Sequence, residues 1–366
     1  MAHTWSSPRA LKRDCRWFRG FIPCAPHKQT GVHCVDEQGL PCPSYEQTSS
    51  RILIIKLGAI GDVIRTTPLL RALKAQFPQA EIWWLTLTPE VIPRVVDVIL
   101  PFSAPGIATL QAVEFDLVIN LDKDREACAL ATRLSAKRKK GFVLLDGLPA
   151  PADSDAEHKF MTGVFDDLNR ENTKSYPQEI FEMCGLPFRG ERYWLDPPSP
   201  DGRPWRLPKS KPIVGLNTGC GGRWVSRRWP DSHWISLARA LRRKGYLPLL
   251  LGGEQEHTTN LRIARKSGAT YLGHYPLSRF IALVDRCQLV VTAVTMAMHI
   301  TIGLNKKIVL FNNIFNRHEF ELYGLGEILE PEFDCPCFFT PVCPNDCMQY
   351  LYPKRVLASV ERLLPR

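Results

Sequence analysis

Three groups of side chains in this sequence have the types and spacing to do chemistry. The first is the run Lys56-Leu57-Gly58-Ala59-Ile60-Gly61-Asp62-Val63-Ile64-Arg65-Thr66-Thr67-Pro68. Gly58 and Gly61 bracket a turn after an apolar stretch, and glycine there lets another molecule approach the backbone. A helix opening from such a turn offers its first N–H groups to an anion. The spacing is not G-x-G-x-x-G, which speaks against a nicotinamide dinucleotide. Asp62 at the helix start has two readings: an N-cap for the helix, or a carboxylate that takes a proton from an attacking hydroxyl. The second group is Cys335-x-Cys337-x5-Cys343-x3-Cys347, with Pro336 and Pro344 fixing turns. Four thiolates suit a tetrahedral zinc or iron ion. The alternative is that some are small buried hydrophobes. The third group is Cys15-x8-Cys24-x9-Cys34-x7-Cys42. It lacks a CxxC knuckle, so a local four-thiolate site competes with a disulfide, a mixed site, or ligands shared with the second group. Cys128, Cys184 and Cys287 are isolated and read as structural, while Cys220 lies in a loop of interest.

The elements that would position these groups read as α/β. Ile52-Leu53-Ile54-Ile55 is a short aliphatic run of the kind buried on both sheet faces. A helix-period segment carrying Leu69, Leu70 and Leu73 runs to Phe77, with Pro68 tolerated near its start. Residues 81–86 and 115–121 are strand-like. A second set begins at Ile213, with strands over 213–217, 247–251, 288–292 and 308–311 and a helix over 231–244. Strands alternating with helices argue for doubly wound parallel sheets, whose ligands bind beyond the carboxyl ends of the strands. Three loops then matter: 56–62, 217–228 and 292–299. The expected organisation is an irregular Cys-rich extension over 1–47, a Rossmann-like domain over 48–196, and a Pro-rich linker over 197–212. A second Rossmann-like domain covers 213–350, and a helix in 351–366 packs back on the first. The two domains are expected to face one cleft.

At 366 residues, 45% hydrophobic and 23% charged, the chain is too long for one ordinary core and too apolar for wholesale disorder. No apolar stretch is long enough to span a bilayer, and no export signal is visible. The 12 cysteines are therefore expected in a reducing compartment, as thiols or metal ligands. A net charge of +10 calls for an anionic partner: nucleic acid, a lipid surface or phosphorylated substrates. No nucleic-acid module is recognisable. The clusters at Lys137–Lys140 and Arg242–Lys244 read as solvated helix ends.

The run from Ile52 to Thr86 resembles the opening of family 9 glycosyltransferases, the bacterial heptosyltransferases. Arg227-Arg228-Trp229-Pro230-Asp231-Ser232-His233-Trp234 resembles the family's K/R-x-W-P-x-x-x-W segment. Thr295-Met296-Ala297-Met298-His299 resembles its D-T-G-x-x-H loop. The three matches fall in order on the three loops. The resemblance implies a GT-B fold and an inverting, metal-independent transfer of heptose from ADP-heptose. It implies Asp62 as general base and Arg227 at the phosphate-binding Lys position, where an Arg grips phosphate bidentately. It further implies Asn217, Thr218 and Gly219 beside the phosphates. Thr295, Met296 and His299 would lie at a helix N-terminus facing the diphosphate, and Glu256 at the ribose. The family's Asp is Val294 here and its Gly is Met296, so donor recognition departs from the family pattern. Some family members bind iron through C-terminal cysteines, with a spacing that differs from this one.

The expected function is a cytoplasmic heptosyl (or related sugar) transferase. Its acceptor would be an anionic glycolipid of the lipopolysaccharide-core type, reached by peripheral contact at the inner membrane. The metal ions would be structural, with no cofactor for catalysis. One alternative is a heptosyltransferase acting on protein. Another is a nucleotide-sugar-binding or metal-sensing protein that has lost transfer.

Overall fold

The computed structural model describes residues 11–197, 205–208 and 210–365. The centre of the expected Pro-rich linker, 198–204 with 209, lies outside the described residues.

The first sheet contains β1 (Ser50–Ile55), β2 (Ala80–Thr86), β3 (Val98–Pro101), β4 (Phe115–Asn120), β5 (Ala136–Leu145) and β6 (Leu148–Pro151). Their order is β3-β2-β1-β4-β5-β6. All pairs are parallel except the terminal β5–β6 hairpin. Ile52 of β1 stands between Ile82 of β2 and Leu117 of β4, which sets the register of the centre. Leu53, Ile55, Leu85, Phe115 and Val118 pack on one face with Ala127 and Leu130. Each such fully buried aliphatic side chain contributes roughly 1.5–3 kcal/mol. The Lys137–Lys140 cluster lies on β5 and not at a helix end. Lys137 and Lys139, two apart, share one side of the strand, where Lys139 reaches the Thr132 carbonyl at 2.5 Å and Lys137 pairs with Asp116 at 2.8 Å.

The second sheet contains β7 (Ile213–Asn217), β8 (Leu247–Leu251), β9 (Thr270–Tyr271), β10 (Leu289–Ala293), β11 (Lys307–Phe311) and β12 (Gly326–Leu329), in the order β12-β11-β10-β7-β8-β9. Counted from its own first strand this is again 3-2-1-4-5-6, the doubly wound order. Its core gathers Leu216, Trp229, Trp234, Leu237, Val291 and Phe311 with Val356 and Val360.

The chain divides into two compact units, and the division differs from the expected one. The first holds the chain up to Leu57, then Leu70–Pro89 and Arg94–Ala152. The second takes Gly58–Leu69, Glu90–Pro93 and the chain from Asp153 onward. The expected continuous helix to Phe77 is two helices, Ile60–Thr66 and Leu69–Gln76. Pro68 between them has no N–H to continue the first helix, and the Thr66 and Thr67 hydroxyls take the Val63 and Ile64 carbonyls. The detached helix Ile60–Thr66 packs on helices Tyr176–Met183 and Met296–Gly303.

The terminal helix Pro353–Leu363 was expected on the first domain but lies on the second sheet. Its apolar face, with Val356 and Val360, belongs to the second core. Trp229 donates its indole N–H to the Leu351 carbonyl at 2.8 Å, and Tyr246 its hydroxyl to the Leu364 carbonyl at 2.8 Å. Arg362 pairs with Glu327 at 2.6 Å.

The N-terminal extension is a strap on the first unit. Arg16 pairs with Asp97 at 3.2 Å and donates to the Ala80 carbonyl at 3.1 Å. Arg19 donates to the Asp97 carbonyl at 2.9 Å. Among the described residues of the strap, the β-bridges are isolated ones at Cys15–Gln47 and Val35–Pro41, and the other backbone hydrogen bonds, such as Arg16 N–H to the Glu46 carbonyl, close turns and loops.

Candidate active site

Asp62 is the third residue of the helix Ile60–Thr66, and Ala59 is the N-cap. The carboxylate nevertheless does capping work: its Oδ2 accepts from the Ala59 N–H at 3.3 Å, and its Oδ1 pairs with Arg65 at 2.8 Å. The side chain keeps about a third of its surface exposed, so its oxygens remain reachable. Arg65 also pairs with Glu319 at 2.7 Å and stacks 3.4 Å over the Tyr176 ring. Burial works against the Arg65 charge, but Asp62 and Glu319 outweigh it and hold the guanidinium protonated.

His299 is close by in the same unit, though not in the way its sequence suggested. It sits one turn into the helix Met296–Gly303 and is buried, 6.0 Å from the Tyr193 ring in a stacked arrangement. Its Nδ1 has no hydrogen-bond partner among the described residues. Burial, helped by the Arg65 charge, pushes its pKa down to about 3, so the ring is neutral. Gly61 is explained by this histidine: a Cβ there would lie 2.5 Å from the His299 Cδ2. Gly61 is thus a close-packing residue inside a helix and not an anion-binding turn. Gly58 precedes the N-cap, at the boundary between the two units.

The second constellation surrounds the end of β7. Asn217 donates its amide to Thr292 Oγ1 at 3.0 Å, to Thr295 Oγ1 at 3.4 Å and to the Gly219 carbonyl at 3.2 Å. It thereby ties the first strand of the sheet to the fourth, at the point where the order reverses. Thr295 is the N-cap of the helix that Met296 opens. Thr218 was expected to aim its hydroxyl at phosphate. It instead donates inward to Asn260 Oδ1 at 2.6 Å. Glu256 accepts from the Gly253 N–H at 2.9 Å and lies against Gly219, where a Cβ would fall 2.5 Å from its carboxyl carbon.

Arg227 is buried, at 8% exposure, and donates to the Cys220 carbonyl at 2.5 Å and the Trp224 carbonyl at 3.4 Å. Its guanidinium lies 5.4 Å from the Phe315 ring centre. Burial lowers its pKa to about 10, so it stays charged at neutral pH. Among the described residues no carboxylate pairs with it. Cys220, in the same loop, has its thiol pushed up by burial despite Arg227.

In the first unit Asp122 stands in no recognisable motif. Its carboxylate accepts from the Lys56 ammonium and the Leu57 N–H, and both charged side chains are buried. Burial pushes the Asp122 carboxyl up against the pull of Lys56. Glu319 was also unforeseen.

Cys335, Cys343 and Cys347 hold their sulfurs within 4.8 Å of one another, with Cys335 and Cys343 at 3.5 Å. Cys337, in the same segment, is not part of this close group. Burial opposes a thiolate at Cys343, but the N–H groups of Cys347 and Asn345 outweigh it and bring its pKa to about 7. The cluster is wired to the Arg227 loop. Asn313 donates to both the Ser226 carbonyl at 2.8 Å and Cys347 Sγ at 3.3 Å, and Ser226 donates to the Thr340 carbonyl at 2.8 Å. Cys128, Cys184, Cys220 and Cys287 are all buried.

Residues 192–316 match the family described as Glycosyltransferase family 9 (heptosyltransferase). The chain is 21% identical over 303 residues to Lipooligosaccharide heptosyltransferase 2 of Haemophilus ducreyi, spanning 70% of this chain and 80% of that protein. Its structure is similar to that of ADP-heptose lps heptosyltransferase II of Escherichia coli, with a TM-score of 0.63 and 18% identity over 86% of this chain and 98% of that one. It is also similar to TibC of enterotoxigenic E. coli H10407, an iron-containing dodecameric glycosyltransferase, with a TM-score of 0.56 and 10% identity over 86% and 76%. These likenesses identify the two doubly wound sheets as the GT-B fold.

Proposed function

We propose that the chain is a family 9 glycosyltransferase and that it transfers a heptose from ADP-heptose to an acceptor of the lipopolysaccharide-core type, with inversion. The relatives' heptosyltransferase activity and the ADP-heptose named for the E. coli structure support this donor. The acceptor oxygen forms a bond to the anomeric carbon, the bond from that carbon to the diphosphate oxygen breaks, and ADP leaves with the electron pair. The acceptor proton goes to the Asp62 carboxylate. Arg65 orients that carboxylate through an ion pair, and Glu319 shares the same guanidinium. His299, neutral and packed on the Asp62 helix, fixes its position.

The observation that carries the donor assignment is Arg227. A buried cation without a counter-charge is costly, and a diphosphate arriving at the loop beyond β7 removes that cost. Backbone N–H groups at the start of helix Met296–Gly303 add positive partial charge nearby. Val294 replaces the carboxylate seen in the family pattern, so the heptose hydroxyls need other partners, and related sugars enter the donor screen on that ground.

Cys335, Cys343 and Cys347 fit a metal, and Cys337 is the fourth ligand expected from the same segment. Around a tetrahedral ion with metal–sulfur bonds of about 2.3 Å, sulfurs lie roughly 3.8 Å apart, close to the Cys335–Cys343 distance of 3.5 Å. We assign this ion a structural task, holding the loop that hydrogen-bonds Ser226 beside Arg227. The iron in TibC supports the assignment and also favours a second reading, a protein acceptor. Among the described residues no helix is long and apolar enough to cross a membrane. The +10 charge supports a cytoplasmic enzyme resting on an anionic membrane face to reach a glycolipid.

The test is transfer from ADP-heptose to truncated lipopolysaccharide and, in parallel, to a protein acceptor. Asp62→Asn is expected to lower transfer about 10²–10⁴-fold with ADP affinity within a few fold of wild type. Undiminished turnover in that variant removes Asp62 as the base. Binding without turnover in the wild type favours a protein that has lost transfer.

A further inference from the structure

We infer that the N-terminal strap is a metal site in its own right, in which Cys15, Cys24, Cys34 and Cys42 bind one zinc- or iron-class ion as four thiolates. The inference is independent of the transferase reading. All four cysteines line a single cavity of about 80 Å³, and none forms a disulfide. They are separated by seven to nine intervening residues in the strap, with Cys15 in a β-bridge and Cys24 at the N-cap of Ala25–Thr30, so adjacency in the chain does not explain why they meet. Cys34 is central: its thiol lies within electrostatic reach of the other three, and it accepts the Lys12 backbone N–H at 3.4 Å. The Cys42 N–H in turn bonds the Cys34 carbonyl at 3.0 Å.

Among its described residues the strap buries little apolar surface with which to hold its shape. Between residues 11 and 49 only Cys15 and Val35 are buried, while Phe21, Ile22 and Leu40 are exposed. The helix Ala25–Thr30 buries nothing. Fixing a backbone costs roughly 1–2 kcal/mol per residue, and turn hydrogen bonds, two isolated β-bridges, the Tyr45–Asp14 contact and a few arginine contacts to Asp97 and Glu81 offset only part of that for a segment of this length. A thiolate-bound ion offsets more of it, because its binding free energy becomes folding free energy. Disulfides are a weaker solution here, since in this structure all four sulfurs are free thiols around one space.

The charge balance agrees. Four thiols binding a divalent ion release four protons and leave a site of charge −2. Lys12, Arg13, Arg16, Arg19 and Lys28 lie in the same segment. Among the described residues, no three of these sulfurs come as close together as those of Cys335, Cys343 and Cys347. Binding therefore draws the strap inward, and the unburied helix that follows Cys24 is the part with room to shift.

The experiment is elemental analysis of the full chain purified without oxygen. The Cys24→Ser/Cys42→Ser double variant is expected to carry one equivalent of zinc or iron fewer than wild type. A Cys343→Ser/Cys347→Ser variant is expected to leave that equivalent in place. Should the strap variant fail to fold, alkylation of the wild-type chain with peptide mapping gives the answer. Cys15, Cys24, Cys34 and Cys42 are expected to be protected until a thiophilic chelator is added, then to react together. Unchanged metal content in the strap variant overturns the inference. So does immediate alkylation of these four in the untreated chain, or finding them as disulfides after anaerobic purification.

Discussion

Both sheets run in the order 3-2-1-4-5-6 and so create the same crevice, between the loops after their first and fourth strands, yet the two crevices are furnished in opposite ways. In the first sheet, Lys56 after β1 and Asp122 after β4 meet as a buried ion pair that neutralises itself. In the second, the β7 and β10 ends are tied by uncharged groups, Asn217 with Thr292 and Thr295. The nearby cation, Arg227, has no carboxylate among the described residues. A self-neutralised pair asks nothing of a ligand. An unbalanced buried cation is a standing cost until an anion arrives. The same topology therefore serves as a clasp in one sheet and as a receptor in the other.

Breaking the clasp should have the largest effect. Asp122→Ala takes the carboxylate away from the buried Lys56 ammonium and the Leu57 N–H, and the expected loss is about 3–5 kcal/mol of unfolding free energy, read by denaturant titration. The joint change Lys56→Met with Asp122→Leu should restore most of it, because an apolar pair of similar volume has no charge to desolvate. Arg227→Met tests the receptor. Hydrogen bonds to charged groups are worth about 1.5–3 kcal/mol, so ADP affinity by calorimetry should fall roughly tenfold to a hundredfold. Stability without ligand should hold or rise. A matching loss of stability would place Arg227 with the clasp.

The last effect is a pH slope, the smallest near neutral pH because it vanishes there. Folded His299 stays neutral down to about pH 3, whereas in the unfolded chain a histidine takes up a proton below about pH 6.5. The unfolded state then binds more protons, so stability falls as pH drops from about 6.5 towards 3. The slope from this one group is at most about 1.4 kcal/mol per pH unit. Above that range it contributes nothing. His299→Gln should flatten this part of the stability profile and leave the alkaline side unchanged.

Much of the scaffold was legible because its strands are buried on both faces and read as short aliphatic runs: β1, β7, β8 and β11 are of this kind. β5 was not, because Lys137, Arg138, Lys139 and Lys140 hide a strand whose apolar part begins only at Phe142. β9, with two residues, is too short to show a period. The site was legible only where its parts are adjacent in the chain. Asp62 and Arg227 stand in recognisable runs. Asp122 lies 66 positions from Lys56, and Glu319 lies 254 from Arg65. No local pattern announces a partner at such distances. The direction of a side chain was equally hidden: nothing in Asn217-Thr218-Gly219 says that the Thr218 hydroxyl turns inward to Asn260.

The contact between Gly61 and His299 leaves a signature that can be sought without any protein in hand. With 2.5 Å available where a Cβ would stand, the two positions share one volume, and neither is free to drift alone. Across diverging sequences of this kind they should change in concert: a larger residue at position 61 should be accompanied by a smaller one at 299, and a histidine at 299 should find glycine at 61. Such paired substitution would mark the line along which the Asp62 helix and the Met296–Gly303 helix have evolved as a single piece.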